Sequence, residues 1–148
     1  GLATLAPTPP VAASRVVLAG ARSIDDAEAE AIDALGIPVI ACPIDRTVDG
    51  ADFTRELGAA VAATGATRVH IHIDVDVLDP AEFASKDSPE PFGLAVTTLT
   101  GAIRALTSEF ALVGASIAEF APSNDEDAAG DLATILRIIG ALAGGARS

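Results

Sequence analysis

The sequence has 148 residues, half of them hydrophobic, and a formal net charge of -12. This length fits one domain with a substantial buried core. The charge argues against nucleic acid or an anionic membrane as a partner, because either needs a basic face that nine Lys plus Arg cannot easily supply. No apolar run approaches the roughly 20 residues of a membrane span, and no signal-peptide pattern opens the chain. We therefore expect a soluble, cytoplasmic protein.

The predicted elements alternate between strand and helix along the chain. Residues 1–14 contain three prolines and predict a connector. Hydrophobic patterning beyond it predicts strands over 15–19, 37–41, 68–77 and 111–118. Capping residues and glycines predict helices that begin near 23–26 and end at Gly36, then over 49–63, 97–106 and 124–142. Such alternation predicts a three-layer α/β/α fold with a mainly parallel sheet.

The third predicted strand carries polar residues at alternate positions, namely His70, His72, Asp74 and Asp76. In an extended chain these four side chains share one face, and branched apolar residues share the other. A buried parallel strand is normally apolar on both faces, so this exception needs a reason. The two acids lie about 7 Å apart by Cα, at the carboxyl end of the strand, where open α/β sheets bind ligands.

A close pair of carboxylates needs a compensating group. Two negative charges at roughly 5 Å repel by around 3 kcal/mol in an effective dielectric of about 20. A proton, a basic partner or a metal would relieve this repulsion, and carboxylates with imidazole nearby favour Mn, Mg or Zn. An Asp-x-Asp pair also occurs in ordinary turns, and Asp79 before Pro80 is typical of a turn start. We expect His72 to hydrogen-bond behind the ligands and His70 to be a satisfied core histidine.

Residues 74–80, Asp-Val-Asp-Val-Leu-Asp-Pro, resemble a motif of the manganese-dependent ureohydrolases, the family of arginases, agmatinases and formiminoglutamases. Three further segments resemble the family in the same order. Residues 20–25 match its Gly-x-Arg-x-x-Asp, Gly93-Leu94 falls at its Gly-Gly-Leu loop, and residues 117–122 match its Ile-x-Glu-x-x-Pro. The resemblance runs from about residue 15 to 143, and residues 15–148 look like the carboxy-terminal part of the ureohydrolase domain.

The resemblance implies a role for each polar residue. Asp74 and Asp76 would be metal ligands, and Glu119 would bind the guanidinium or amidine group of a small cationic substrate, unless it is simply a loop carboxylate. His72 and Asp79 would lie behind the ligands. The complete site would hold two Mn ions that activate water for hydrolysis of a linear amidine. The resemblance also implies a homo-oligomer.

Several family features are absent from the sequence. The upstream Gly-Gly-Asp-His and Asp-Ala-His-x-Asp segments, which complete the two-metal site, do not occur. Phe92 replaces the first Gly of the Gly-Gly loop, Thr97-Thr98 replaces an Arg-Glu pair of arginases, and Ser116 takes a position often held by Asp. These departures leave agmatine, formiminoglutamate or another linear amidine open as substrate.

The start of the chain bears on how these departures are interpreted. The sequence opens with Gly1 and contains no methionine. We therefore expect a piece of a longer polypeptide, with the other ligands on a missing amino-terminal portion and the isolated chain inactive.

Two other functional classes stay open at this point. One is a non-catalytic half-domain that keeps the fold for assembly or binding. The other is a phosphoryl-transfer or receiver-like domain that uses strand-end Asp residues with Mg. The second is disfavoured because receiver sites draw on several strand ends, and the first and fourth predicted strands offer no clear acidic companion. Cys42, the single cysteine, predicts a buried structural thiol rather than a nucleophile.

Overall fold

The α/β class with parallel strand pairing is confirmed by the computed structural model, which describes residues 10–43, 50–87 and 89–145. The strands in these ranges are β1 (Leu18–Ala19), β2 (Val39–Ile40), β3 (Arg68–Asp74) and β4 (Ala111–Ala118). The helices are α1 (Asp26–Leu35), α2 (Ala51–Ala63), α3 (Val96–Glu109) and α4 (Asp125–Gly145). Within the described ranges, no helix has the length and apolar character needed to cross a membrane.

The strands form two separate parallel pairs within these residues, β1 with β2 and β3 with β4. Helix α1 connects the first pair and α3 connects the second, as parallel pairing requires. β1 and β2 are shorter than predicted, partly because Ala13–Arg15 forms a 3-10 turn where the first strand was expected to begin. In the second pair, Asp74 of β3 lies opposite Ala118 of β4.

The helix ends follow from local chemistry. α1 begins at Asp25, whose side chain accepts a hydrogen bond from the Glu28 backbone while the Glu28 side chain accepts one from the Asp25 backbone. This capping box lies two residues beyond the predicted one at Ser23, and Gly36 ends the helix with a φ of 64° as expected. The predicted cap of α4 is confirmed, since Asn124 accepts hydrogen bonds from two following backbone amides. The predicted start of α2 at residue 49 lies outside the described residues.

The hydrophobic core lies between the β3–β4 pair and helices α2, α3 and α4. Helix α3 contacts both α2 and α4, and its apolar face is buried. Ile73 is the buried residue of β3, while His70 and His72 are exposed. The prediction that His70 is a core histidine is therefore wrong, because the side chains on its face of β3 are exposed. Helix α1 has no buried residue.

Candidate metal and substrate site

The strand that carries the acids ends at Asp74, three residues earlier than predicted. Val75–Val77 form one 3-10 turn, and Asp74 caps it by accepting a hydrogen bond from the Asp76 backbone N–H at 2.9 Å. Residues 74–77 are called the acidic turn below. Val75 and Leu78 are fully buried, so the turn is held by the core on both sides. Asp76 therefore lies in a capped turn and not in the extended strand that the alternation predicted.

The electrostatics of the acidic turn favour a nearby cation. Burial raises the pKa of Asp76 above its usual value, and the Asp74 carboxylate raises it further, while Lys86 and Arg22 act in the opposite direction. One carboxylate oxygen of Asp76, Oδ1, is buried and has no hydrogen-bond partner in the described part of the chain. A buried carboxylate oxygen without a partner is costly, and a divalent cation is one group that satisfies it.

The acidic turn fits a divalent cation as two of its ligands. A complete site needs more, because Mn and related ions take several oxygen or nitrogen donors. Among residues 10–43, 50–87 and 89–145, no group of three or more His, Cys, Asp or Glu side chains is arranged to hold a metal ion. The role of Asp74 and Asp76 as metal ligands therefore stays a prediction.

Arg22 binds the backbone of the acidic turn, a role that sequence patterns did not assign to it. Its guanidinium donates to the carbonyl oxygens of Val77 at 2.8 Å and Asp76 at 2.5 Å. Gly20 makes this approach possible, because a Cβ there would lie 2.5 Å from Cγ2 of Val77. The Gly-x-Arg-x-x-Asp motif therefore joins the β1 end to the acidic turn and caps α1 through Asp25.

The loop after the acidic turn contains several buried residues and is held by backbone hydrogen bonds. The Oδ1 atom of Asp79 accepts the Ala81 N–H at 2.9 Å, and the Asp79 N–H donates to the Leu94 carbonyl at 2.9 Å. Gly93 passes directly over the chain at Leu78, since a Cβ there would lie 2.3 Å from the Leu78 carbonyl carbon. Only glycine fits this approach, which explains the second Gly of the loop. Asp79 thus organises the loop behind the acids, and its relation to a metal stays a prediction.

Phe92 precedes this glycine with a φ of 62°, the left-handed region that costs a side chain about 1–2 kcal/mol. Its side chain is 63% exposed, so packing offers little compensation. Phe92 therefore differs from the glycine of the family motif in its side chain only, because its backbone keeps a conformation typical of glycine.

Glu119 lies at the same edge of the strand pair as the acidic turn. It follows Ala118, which is paired with Asp74, and its side chain is exposed. Its φ of 63° is strained for a residue with a side chain, and such strain concentrates at functional sites. The register therefore brings Glu119 to the carboxyl end of β3, and its role in substrate binding stays a prediction.

Two other residues that the sequence singled out, His72 and Cys42, form hydrogen bonds with Ser116 and Arg22. His72 Nδ1 is 2.7 Å from the hydroxyl of Ser116 on β4, and both lie on the face that bears Asp74. Cys42 is half-buried, and burial raises the pKa of its thiol while a hydrogen bond with Arg22 lowers it. This environment suits the expected structural thiol.

Lys86 is a buried residue of the loop after the acidic turn that sequence analysis did not single out. It is 5% exposed, and its ammonium donates a hydrogen bond to the carbonyl of Leu78. Burial lowers the pKa of Lys86, although Asp76 and other carboxylates raise it. Nothing in the local pattern marks this lysine, because lysine is almost always exposed and the loop has no periodicity.

Comparison with known proteins gives a consistent result. A family model described as "Arginase family" matches residues 3–142. An N(omega)-hydroxy-L-arginine amidinohydrolase of Streptomyces lavendulae is 32% identical over 126 residues, which is 84% of this chain and 42% of that protein.

Solved structures agree with the fold. The arginase of Bacillus caldovelox superposes with a TM-score of 0.77 at 24% identity, covering 92% of this chain and 45% of that one. The agmatine ureohydrolase of Thermoplasma volcanium gives 0.69 at 28% identity, covering 89% and 42%. The chain thus spans less than half the length of these relatives.

Proposed function

This chain belongs to the arginase family, and we propose that it forms the carboxy-terminal part of a binuclear manganese hydrolase of linear amidines or guanidines. The observation that carries the proposal is the acidic turn, where Asp74 and Asp76 interact and one buried oxygen of Asp76 lacks a partner. Residues 1–14 would be a connector to the remaining portion.

Asp74 and Asp76 would hold the ions together with ligands from an amino-terminal portion. This division of the ligands between two portions of the protein is supported by two observations. The described residues contain no three-ligand group, and the relatives have longer chains. Bound manganese would supply water that is nucleophilic at neutral pH. The isolated chain would then be inactive, and His72 and Asp79 would support the ligands through their hydrogen bonds.

Glu119 would bind the planar cationic group of the substrate. Glu119 directly follows Ala118, which is paired with Asp74, and a carboxylate can orient a guanidinium by two parallel hydrogen bonds. The relatives named above act on hydroxyarginine and agmatine, which supports a guanidine as the substrate class. A cytoplasmic homo-oligomer stays a prediction.

The test uses the longest native polypeptide that contains this sequence, loaded with Mn and assayed for urea, ammonia or formamide release from arginine, hydroxyarginine, agmatine and formiminoglutamate. We expect release from one of these, no activity in Asp74→Asn, and roughly a tenfold higher KM in Glu119→Gln because a charged hydrogen bond is lost. The matched control is Glu126→Gln, at an exposed position at the start of α4, which should leave activity unchanged.

The main alternative is a non-catalytic half-domain of the same fold. The incomplete ligand set in the described residues fits this alternative as well as it fits the proposal. No release from any substrate by the longest native form would decide for this alternative, whereas Mn-dependent release that survives Asp74→Asn would contradict the role of Asp74 as a metal ligand.

A further inference from the structure

Asp131, on helix α4, is a buried acid to which the proposed function gives no role. It is 9% exposed, and a carboxylate is rarely buried to this extent unless it is hydrogen-bonded. Its Oδ2 atom accepts two backbone N–H groups of the loop after the acidic turn, from Ala84 at 2.8 Å and from Ser85 at 2.7 Å. Hydrogen bonds to a carboxylate are among the stronger ones, so Asp131 fixes the loop backbone at these two residues.

The fixed loop backbone in turn holds the segment that follows β4. The Ser85 carbonyl accepts a hydrogen bond from the Ala121 N–H at 3.0 Å. The ring of Phe83, which is 1% exposed, packs against that of Phe120, with the centroids 6.0 Å apart and the planes inclined by 49°. Phe120 and Ala121 directly follow Glu119 in the chain, so the position of Glu119 is set from the loop as well as from β4.

The same loop is also bonded to the end of the acidic turn. The Lys86 ammonium donates a hydrogen bond to the carbonyl of Leu78, the residue that follows the turn. The pairing of β3 with β4 ends at Asp74 and Ala118. Beyond the sheet, residues 83–86 therefore connect the segment that carries the two acids to the segment that carries Glu119.

We propose that Asp131 is a positioning residue of the candidate site, which sets the place of Glu119 relative to the acidic turn by fixing the backbone of this loop. Glu119 has a left-handed φ of 63°, a conformation that persists only where surrounding contacts hold it. The hydrogen bond from Ala121 and the ring contact of Phe120 are such contacts. The effect of Asp131 on the backbone is independent of the proposed function, whereas its effect on substrate binding rests on that function.

The effect on the backbone is tested by amide hydrogen exchange on the longest native polypeptide that contains this sequence, resolved to single residues by mass spectrometry with electron-transfer fragmentation. Asp131→Leu removes the acceptor, and we expect the Ala121 N–H to exchange roughly tenfold faster, because the loop that holds it is released. Asp131→Asn keeps an acceptor oxygen without the charge, and we expect about threefold faster exchange. The N–H of Val61 in α2 should exchange at an unchanged rate in both variants.

The matched control is Glu126→Leu, which removes an exposed carboxylate from the same helix and should leave both exchange rates unchanged. An unchanged rate at Ala121 in Asp131→Asn would overturn the proposal. A rate at Ala121 that rises in step with the rate at Val61 would overturn it as well, because it would show a general loss of stability.

The effect on substrate binding is tested by steady-state kinetics on the same polypeptide, loaded with Mn and given whichever of arginine, hydroxyarginine, agmatine and formiminoglutamate it hydrolyses. Asp131→Asn should raise KM about threefold and leave kcat within about twofold, because Glu119 binds the substrate and not the ions. In a Glu119→Gln background the same substitution should leave KM unchanged, since the charged hydrogen bond that it misaligns is already lost. Additive effects on KM would overturn the role of Asp131 toward Glu119. If none of the four compounds is hydrolysed, the proposed function fails, and the exchange rate at Ala121 still decides whether Asp131 fixes the backbone.

Discussion

Helix α1 and the loop from Val75 to Leu94 show how weakly burial follows regular secondary structure here. The helix has a complete capping box and a glycine end, yet none of its residues is buried. The loop has one 3-10 turn and no longer element, yet it contains five of the six largest fully buried side chains of the described residues. They are Val75, Leu78, Phe83, Ser85 and Leu94.

This difference teaches that the loop carrying the acids is part of the core. Its apolar side chains are packed among the helices, and its backbone is tied by Arg22, Asp79 and Asp131. Burial and these hydrogen bonds fix the position of the loop, as a functional site requires. The capped helix contributes little to that rigidity.

The largest expected contrast is between buried side chains of the two regions. Phe83→Ala in the loop should lower the free energy of unfolding by about 3–5 kcal/mol, because Phe83 is 1% exposed and leaves a cavity. Leu35→Ala in α1 should cost about 0.5 kcal/mol or less, because Leu35 is 57% exposed. Urea unfolding measures both, and similar losses would mean that the loop is not part of the core.

A second contrast uses one glycine from each region. Gly93→Ala should cost about 3 kcal/mol, because the new Cβ meets the backbone at Leu78 and that backbone cannot move aside. Gly36→Ala at the end of α1 should cost about 1 kcal/mol, from its φ of 64° alone, since no atom lies within 4 Å of the new Cβ. Thermal and urea unfolding give the two values. If Gly93→Ala leaves the free energy of unfolding unchanged, the close approach of Gly93 to the Leu78 backbone is contradicted.

The smallest expected effect is a gain in stability from a substitution within the loop. Phe92→Gly should raise the free energy of unfolding by about 0.5 kcal/mol, because relief of the left-handed strain exceeds the added freedom of the unfolded chain. Glu90→Gly, in the same loop and without a positive φ, should lose a similar amount. If Phe92→Gly is destabilising as well, its backbone conformation carries no strain.

Much of the fold could be predicted from local patterns. The β4 bounds were predicted to the residue, and the cap at Asn124 and the end of α1 at Gly36 are confirmed. Periodicity failed at residues 75–77. These residues alternate as in a strand, but the side chain of Asp74 caps a 3-10 turn there instead. Side-chain alternation alone cannot distinguish a strand end from a capped turn.

The sequence by itself determined the order of strands and helices, the presence of two acids at one strand end and the resemblance to the arginase family, because each depends on neighbouring residues or on a motif. Tertiary structure alone decided that Lys86 is buried and bonded to the Leu78 carbonyl, that Arg22 binds the acidic turn and that Glu119 lies at the Asp74 edge. These contacts join residues far apart in the chain. Their energy depends on burial and register, which no local pattern encodes.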